Sequence, residues 1–307
     1  MRGSNLAFLT ILLYVMEKWV AVPVLGEWGE VMSSGQLILL IIAVVGIAAG
    51  GYVINDYFDV KIDRINRPER LIVTNTVTKT QAMWLFRITT GVGIAAGIGL
   101  AWICRSLNLS MLFVIIPGML WFYSSSYKRQ FMIGNLIIAL VAAMVPLVVA
   151  IVNVKLLEYQ YGDVLSYTTL TYDLYSWLGG FALFAFLGTL AREMVKDLQD
   201  QEGDRELECH TVPIIVGEMW TKIIVTIMTI LIAALAIYVN CCLVTYAHDF
   251  HTLTTRYLIL ALLIPMAGEV VLLWSAKIES DYKTVQMLWK FILFMGTMYS
   301  YVVMKSL

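Results

Sequence analysis

Residues 36–54 read QLILLIIAVVGIAAGGYVI, and residues 55–64 continue as NDYFDVKIDR. The first stretch has nineteen residues and no charge, which is long enough for a helix to cross the roughly 30 Å hydrocarbon core of a bilayer. The second stretch brings Asp56, Asp59 and Asp63 together directly after it. An apolar helix that ends in a group of carboxylates predicts a membrane protein with a polar site at one membrane face.

The composition of the whole chain excludes the other broad classes. Apolar residues make up 60% of the 307 residues and charged residues 14%, against about 45–50% and roughly 25% in soluble proteins. The mean hydropathy is +0.80, so there is too little charge for the surface of a soluble globule and too much apolar side chain for a disordered chain. A net charge of −1 also excludes a nucleic-acid-binding protein.

Nine stretches are apolar and long enough to span a bilayer, which predicts an all-α polytopic membrane protein with nine transmembrane helices in a single domain over residues 1–307. Barrel strands are excluded, since they would alternate over about ten residues. The first stretch follows Arg2 as a signal peptide would, but Glu17 and Lys18 replace a cleavage site, so we expect it to be retained. The predicted spans are 5–25, 36–54, 82–104, 109–125, 132–152, 176–192, 213–246, 257–275 and 286–304.

Lysine and arginine are shared unevenly between the two predicted faces. If the loops after helices two, four, six and eight lie on the side of the N-terminus, that side holds fourteen of these residues and the other side four. The positive-inside rule places the richer side in the cytoplasm. We therefore expect an integral protein of a bacterial inner membrane, with the N-terminus inside and the C-terminus outside.

The aspartate pattern occurs twice, with the same spacing, and each time an arginine follows at once. The first set is Asp56, Asp59 and Asp63 followed by Arg64, and the second is Asp197, Asp200 and Asp204 followed by Arg205. The two sets are offset by 141 residues at all four positions. Both follow an even-numbered span, so the sequence predicts a repeated site in pseudo-repeat halves of about 1–152 and 176–307.

Spacings of three, four and seven residues place three carboxylates on one face of a helix. Like charges so close together need cations, and hard divalent ions with oxygen ligands meet that need. Magnesium is favoured because it typically binds one or two carboxylates together with substrate phosphates, whereas zinc would need a cysteine and histidine set that is missing beside these aspartates. The alternative is an ordinary acidic loop, which the exact repetition makes less favoured.

Basic residues accompany both acidic sets. Arginine recurs at Arg64, Arg67 and Arg70, and the fourth span closes in Lys128-Arg129. Arg192 lies five residues before Asp197, and Lys196 lies directly before it. Cations beside metal-binding carboxylates indicate a phosphate ligand, which arginine grips in a bidentate fork. The alternative for the first two groups is the positive-inside bias alone.

These motifs resemble those of the UbiA-type intramembrane prenyltransferases. That family carries an Asn-Asp-x-x-Asp-x-x-x-Asp motif after its second helix and an Asp-x-x-Asp-x-x-x-Asp relative after its sixth. The segment from Tyr123-Ser124 through Lys128-Arg129 to Gly134-Asn135 also resembles the family's pattern. The resemblance covers all nine spans, although the last three match only in hydropathy.

The resemblance implies nine helices around a central cavity open to the cytoplasmic face, and the transfer of an isoprenyl group from an isoprenyl diphosphate to a lipophilic or aromatic acceptor in the membrane. Two Mg²⁺ ions would hold the diphosphate. The implied metal-binding and catalytic aspartates are Asp56, Asp59 and Asp63 for one ion, assisted by Asn55, and Asp197, Asp200 and Asp204 for the other. The implied diphosphate-binding residues are Asn55, Arg67, Tyr123, Lys128, Arg129 and Lys196. The partners are these two substrates and the bilayer, with no nucleic acid and no obligate protein partner.

Two departures from the family's pattern concern the acceptor. The run Arg67-Pro68-Glu69-Arg70 lacks the family's second proline, and His210-Thr211-Val212-Pro213 replaces a Lys-Thr-Leu-Pro segment. The second motif is most similar to the branch that makes digeranylgeranylglyceryl phosphate or chlorophyll-type products. A quinone-type aromatic prenyltransferase, a terpene cyclase without an acceptor and a secondary transporter with a repeated cation site are the alternatives. Transport would place the charges near the bilayer midplane, whereas these lie at helix ends.

Overall fold

The computed structural model describes residues 2–66, 72–244 and 251–304, without the side chains of residues 2, 63, 65, 66, 251, 252 and 303. The described residues form helices and turns, with one isolated bridge between Val73 and Val77. The all-α prediction is therefore confirmed.

The helices follow the predicted apolar stretches closely. In chain order they are α1 (Arg2–Val15), α2 (Ser34–Phe58), α3 (Val60–Asn66), α4 (Lys79–Ile103), α5 (Leu107–Ser125), α6 (Ile133–Tyr161), α7 (Leu170–Gln199), α8 (Gln201–Glu206), α9 (Val212–Val216), α10 (Glu218–Val239), α11 (His251–Tyr257), α12 (Ile264–Ser275) and α13 (Glu279–Met304). A π-helical segment, Met16–Ala21, and a four-residue helix, Val22–Leu25, extend α1. A second π-helical segment, Asn240–Val244, follows α10, and a third, Leu258–Leu263, joins α11 to α12. Ser33 and Thr78 begin α2 and α4 with capping boxes, which satisfy backbone N–H groups at the helix start.

Within the described residues, eight helices or helix runs are long and apolar enough to cross a membrane. They correspond to the first eight predicted spans, and the protein is an integral membrane protein. The ninth predicted stretch, 286–304, lies in α13, a helix of 26 residues that is outside these eight. Lys290 and the polar residues Thr297 and Ser300 make its sequence less apolar, so the number nine is approximate.

The seventh predicted span, 213–246, is not one continuous helix. The short helix α9 ends at Val216, φ is +89° at the following Gly217, and α10 begins at Glu218. A side chain at that φ would be strained, which is why a glycine stands there. The extra length of the predicted stretch therefore comes from a short helix and a turn before the span.

The chain forms two compact units. The first contains residues 1–128 and 144–179, and the second contains residues 129–143 and 180–307. The first aspartate motif belongs to the first unit and the second motif to the second unit.

In the first unit, glycines let α2 and α4 approach backbone to backbone. A Cβ atom added at Gly46 would lie 3.0 Å from the Cα atom of Gly93, and one added at Gly93 would lie 2.8 Å from the carbonyl oxygen of Ala43. Small residues at such crossings are typical of membrane helices. Because α2 carries the first motif at its end, this contact positions that motif.

In the second unit, an apolar core surrounds α7, the helix that carries the second motif. Leu190, Met194 and Leu198 of α7 share this core with Trp289 of α13 and Leu273 of α12. The buried Glu269 of α12 accepts a hydrogen bond of 3.0 Å from the Thr229 hydroxyl of α10. The core and this polar tie hold α7, α10, α12 and α13 as one body.

The close contact of α2 with α4 can be tested with a matched pair of substitutions. We expect Gly93→Ala to lower the free energy of unfolding by about 1–3 kcal/mol, because the new methyl group meets backbone atoms that cannot yield. Gly91→Ala is the control, since a Cβ atom there meets nothing within 4 Å. Thermal unfolding in detergent measures both, and equal melting temperatures for the two variants would contradict the packing account.

Candidate functional site

Each aspartate motif contains a helix interruption at its middle aspartate. The helix α2 ends at Phe58, and Asp59 follows with φ −83° and ψ 0° before α3 begins. The helix α7 ends at Gln199, and Asp200 follows with φ −94° and ψ 9° before α8 begins. Such values lie in the sparsely populated bridge region where many active-site residues occur. The two motifs, which are offset by 141 residues, therefore share their backbone conformation at this position as well as their aspartate spacing.

This interruption corrects the prediction that all three aspartates share one face of a continuous helix. Asp56 lies in the last turn of α2, Asp59 in the turn and Asp63 in α3. In the second motif, Asp197 lies in the last turn of α7, Asp200 in the turn and Asp204 in α8. Helical periodicity alone could not show the break, because the spacing also suits an uninterrupted helix.

Asp59 is the best-defined carboxylate of the first motif. Its residue is 5% exposed, and its Oδ2 atom accepts hydrogen bonds from the Asn55 amide at 2.6 Å and the Lys128 ammonium at 2.5 Å. Among the described residues, no hydrogen bond reaches its Oδ1 atom. Two donors on one oxygen fix the orientation of the carboxylate and present the other oxygen to a ligand.

The structure brings together three of the predicted residues of the first motif, Asn55, Asp59 and Lys128. Lys128 lies in a single 3₁₀ turn, Tyr127–Arg129, directly after α5, with a side chain that is partly buried. Tyr123 is buried in α5, and Arg129 is exposed. Arg67 lies outside the described residues, as does the side chain of Asp63.

The second motif has its own amide partner. The Nδ2 atom of Asn135, on α6, donates a hydrogen bond of 2.8 Å to the Oδ2 atom of Asp197. Asn135 is 6% exposed, so its amide is fixed. Sequence reasoning missed this role, although the Gly134-Asn135 dipeptide was part of the segment that resembles the family. Asp204 is buried and Asp200 is partly buried.

A buried acid orders the cations that precede the second motif. Glu193 is 5% exposed and forms ion pairs with Arg192 and, at 3.4 Å, with Lys196. Lys196, a predicted diphosphate ligand, thus contacts Glu193 in this structure. Glu193 was not among the predicted site residues, because a single acid inside a helix has no pattern to mark it.

The residues present fit a magnesium ion that a phosphate ligand completes. In the described parts of the chain, no three acidic, histidine or cysteine residues converge to hold a metal by themselves. Asp59 and Asp197 each have one oxygen restrained by an amide, with lysines nearby. Magnesium binds through one or two carboxylates and takes its other ligands from phosphate and water, so this donor set suits it.

The fold and the two motifs define an integral membrane protein with a repeated carboxylate site at helix ends. The model of the UbiA prenyltransferase family matches residues 8–295. The chain belongs to this family.

Relatives with known names are about a third identical to this chain within the aligned segments. Digeranylgeranylglyceryl phosphate synthase from Thermococcus gammatolerans is 33% identical over 189 residues, which cover 61% of this chain and 59% of the relative. The enzyme of the same name from Thermococcus kodakarensis is 32% identical over 200 residues, covering 63% and 64%. The match thus spans less than two thirds of the length of these relatives.

Solved structures confirm the fold over nearly the whole chain. A structure described as a digeranylgeranylglyceryl phosphate synthase in membranes has a TM-score of 0.67 and 20% identity, covering 99% of this chain and 95% of that one. A UbiA homologue from Archaeoglobus fulgidus bound to DMAPP and Mg²⁺ has a TM-score of 0.58 and 13% identity, covering 99% and 98%. At these identities the likeness establishes the fold alone.

The Asn135 amide gives a prediction for metal binding. We expect Asn135→Ala to weaken Mn²⁺ binding about 10-fold or more, because a partner that orients a ligand carboxylate typically has an effect of this size. Electron paramagnetic resonance titration of the detergent-solubilised protein measures it. Leu136→Ala is the control, since the Leu136 side chain is exposed. Unchanged binding in Asn135→Ala would contradict the role given to this amide.

Proposed function

We propose that this protein is a Mg²⁺-dependent prenyltransferase that moves an isoprenyl group from an isoprenyl diphosphate to a membrane-soluble acceptor and releases diphosphate. One observation supports this function most: the aspartate motif occurs twice, each time at a helix interruption with an amide holding one aspartate. Membership of the UbiA prenyltransferase family supports the same reaction. The proposed metal ligands are Asn55 and the six aspartates of the two motifs.

The reaction needs a stabilised leaving group and a dry cavity. Mg²⁺, held by Asn55 and the aspartates of the two motifs, would neutralise the diphosphate and make it a competent leaving group. Lys128, Arg129 and Lys196 supply further positive charge for the leaving oxygen, with Tyr123 and Arg67 as additional ligands. The bond between the allylic carbon and the diphosphate oxygen breaks, and its electron pair leaves with the diphosphate. A hydroxyl oxygen of the acceptor then bonds to the carbon and releases its proton, while the apolar spans exclude competing water.

For the substrates, we propose geranylgeranyl diphosphate as donor and geranylgeranylglyceryl phosphate as acceptor. The names of the curated relatives and the full Asp-x-x-Asp-x-x-x-Asp form of the second motif both support this pair. An aromatic acceptor of the quinone or chlorophyll type is the alternative, and the departures after Arg67 and at His210–Pro213 affect the loops that would distinguish the two. The carboxylates at helix ends favour an enzyme over a transporter, whose ion site would lie near the midplane.

We further propose that the two motifs face the cytoplasm, with the N-terminus inside and the C-terminus outside. The distribution of lysine and arginine supports this orientation. The location in a bacterial inner membrane stays a prediction, and the relatives are mostly archaeal.

The proposed reaction can be tested with purified protein, geranylgeranyl diphosphate and Mg²⁺. With geranylgeranylglyceryl phosphate we expect diphosphate release and a product whose mass shows a second geranylgeranyl group. EDTA should abolish both. Asp59→Asn and Asp197→Asn should each lower the rate by at least 100-fold, because each loses a charged metal ligand, and a removed electrostatic contact of this kind typically costs that much.

Asp163→Asn is the matched control, since Asp163 lies in the exposed turn Gly162–Tyr167, away from both motifs in sequence. A product formed only with an aromatic acceptor would replace the proposed substrate pair. Full activity in both aspartate variants would refute the site. Ion flux without diphosphate release would favour the transporter.

The orientation can be tested by labelling single cysteines in intact cells. Gln130 follows α5 and Tyr167 follows α6, and both are exposed. In a Cys241→Ser/Cys242→Ser background, which removes the two exposed native thiols, we expect an impermeant maleimide to label Tyr167→Cys but not Gln130→Cys. Permeabilised cells should label both. The reverse pattern would invert the proposed topology.

A further inference from the structure

The last residue of α7, Gln199, is tied to the start of α13 through both ends of its amide. Its Nε2 atom donates a hydrogen bond of 2.9 Å to the Oε1 atom of Glu279. Its Oε1 atom accepts a hydrogen bond of 2.6 Å from the Nε2 atom of Gln286. Gln199 is 9% exposed, so its amide forms hydrogen bonds with these two side chains in place of bulk water.

The direction of this network is fixed by chemistry. The Glu279 carboxylate can only accept when ionised, so the NH₂ group of Gln199 must face it. The carbonyl oxygen of Gln199 then faces its other hydrogen-bond partner among the described residues, the NH₂ group of Gln286. Neither amide can flip without placing two acceptors or two donors against each other, and the end of α7 is held in one arrangement.

Gln199 stands at the point where the second motif changes direction. It lies between Asp197 and Asp200, and the helix breaks directly after it. At about 100° per residue, its side chain leaves α7 roughly 200° around the helix from that of Asp197. The last turn is therefore held on two sides: Asn135 bonds Asp197 on one, and α13 bonds Gln199 on the other.

In the first motif, the residue at the position equivalent to Gln199 is held by a different kind of contact. The residue 141 positions before Gln199 is Phe58, which also ends its helix and precedes the interrupting aspartate. Phe58 makes an edge-to-face ring contact with Trp121 of α5, with centroids 5.5 Å apart. In both motifs, then, the residue before the break is fixed to a neighbouring helix, by aromatic packing in one and by amide hydrogen bonds in the other.

We propose that Glu279 and Gln286 are positioning residues for the second aspartate motif, and that they act through Gln199. This inference rests on the proposed function, because the motif they position is the proposed Mg²⁺ site. It gives the polar start of α13 a part in setting the metal affinity of a site on α7.

The test compares Mn²⁺ affinity with thermal stability in the detergent-solubilised full chain. We expect Glu279→Ala/Gln286→Ala to weaken Mn²⁺ binding about 10-fold, the lower end of the effect of outer partners on metal affinity. Its melting temperature should stay close to that of the wild type. Glu279→Gln keeps an acceptor oxygen without the charge, so binding should stay within about 2-fold.

Ser280→Ala is the control on the same exposed turn, and Asp197→Asn is the reference for loss of a ligand. Wild-type binding in Glu279→Ala/Gln286→Ala, with binding lost in Asp197→Asn, would overturn the positioning role and leave the proposed function standing. Wild-type binding in Asp197→Asn as well would overturn the proposed site. If the double variant unfolds, Glu279→Ala decides: binding equal to that of Glu279→Gln contradicts the role, and binding about 10-fold weaker supports it.

Discussion

A carboxylate is costly to keep beside a hydrocarbon interior unless donors compensate its charge. In this protein the aspartates stand where a helix run ends, and the structure gives Asp59 and Asp197 fixed partners. Asp59 is 5% exposed and takes both an amide and an ammonium group on one oxygen. The spans and the helix breaks place these closely spaced carboxylates at a membrane face. The surrounding basic residues compensate their negative charge.

The two motifs share their chemistry and differ in how they are held. In both, an aspartate in bridge-region backbone separates two helices, and in both an asparagine amide bonds one aspartate. The amide of the first motif comes from the same helix, four residues earlier, whereas Asn135 comes from another helix. The repeat therefore keeps the aspartate spacing and the backbone turn, whereas the supporting contacts differ.

The sequence predicted the features that depend only on residues close together in the chain. Apolar runs of about 20 residues located the first eight spans, and the repeated spacing located both motifs, because neither depends on distant partners. It missed the helix interruptions, since spacings of three and four residues suit an unbroken helix equally well. It also missed the roles of Asn135 and Gln199, whose partners lie 62, 80 and 87 residues away. Those contacts arise from tertiary packing, which no local pattern records.

Each motif is proposed to hold a metal ion beside its amide-oriented aspartate. Anomalous diffraction at the manganese edge, from crystals grown with Mn²⁺ and an unreactive isoprenyl thiolodiphosphate, tests it most directly. We expect one peak within bonding distance of Asp59 and another within bonding distance of Asp197. Manganese peaks away from both aspartates, or a bound diphosphate without metal, would contradict it.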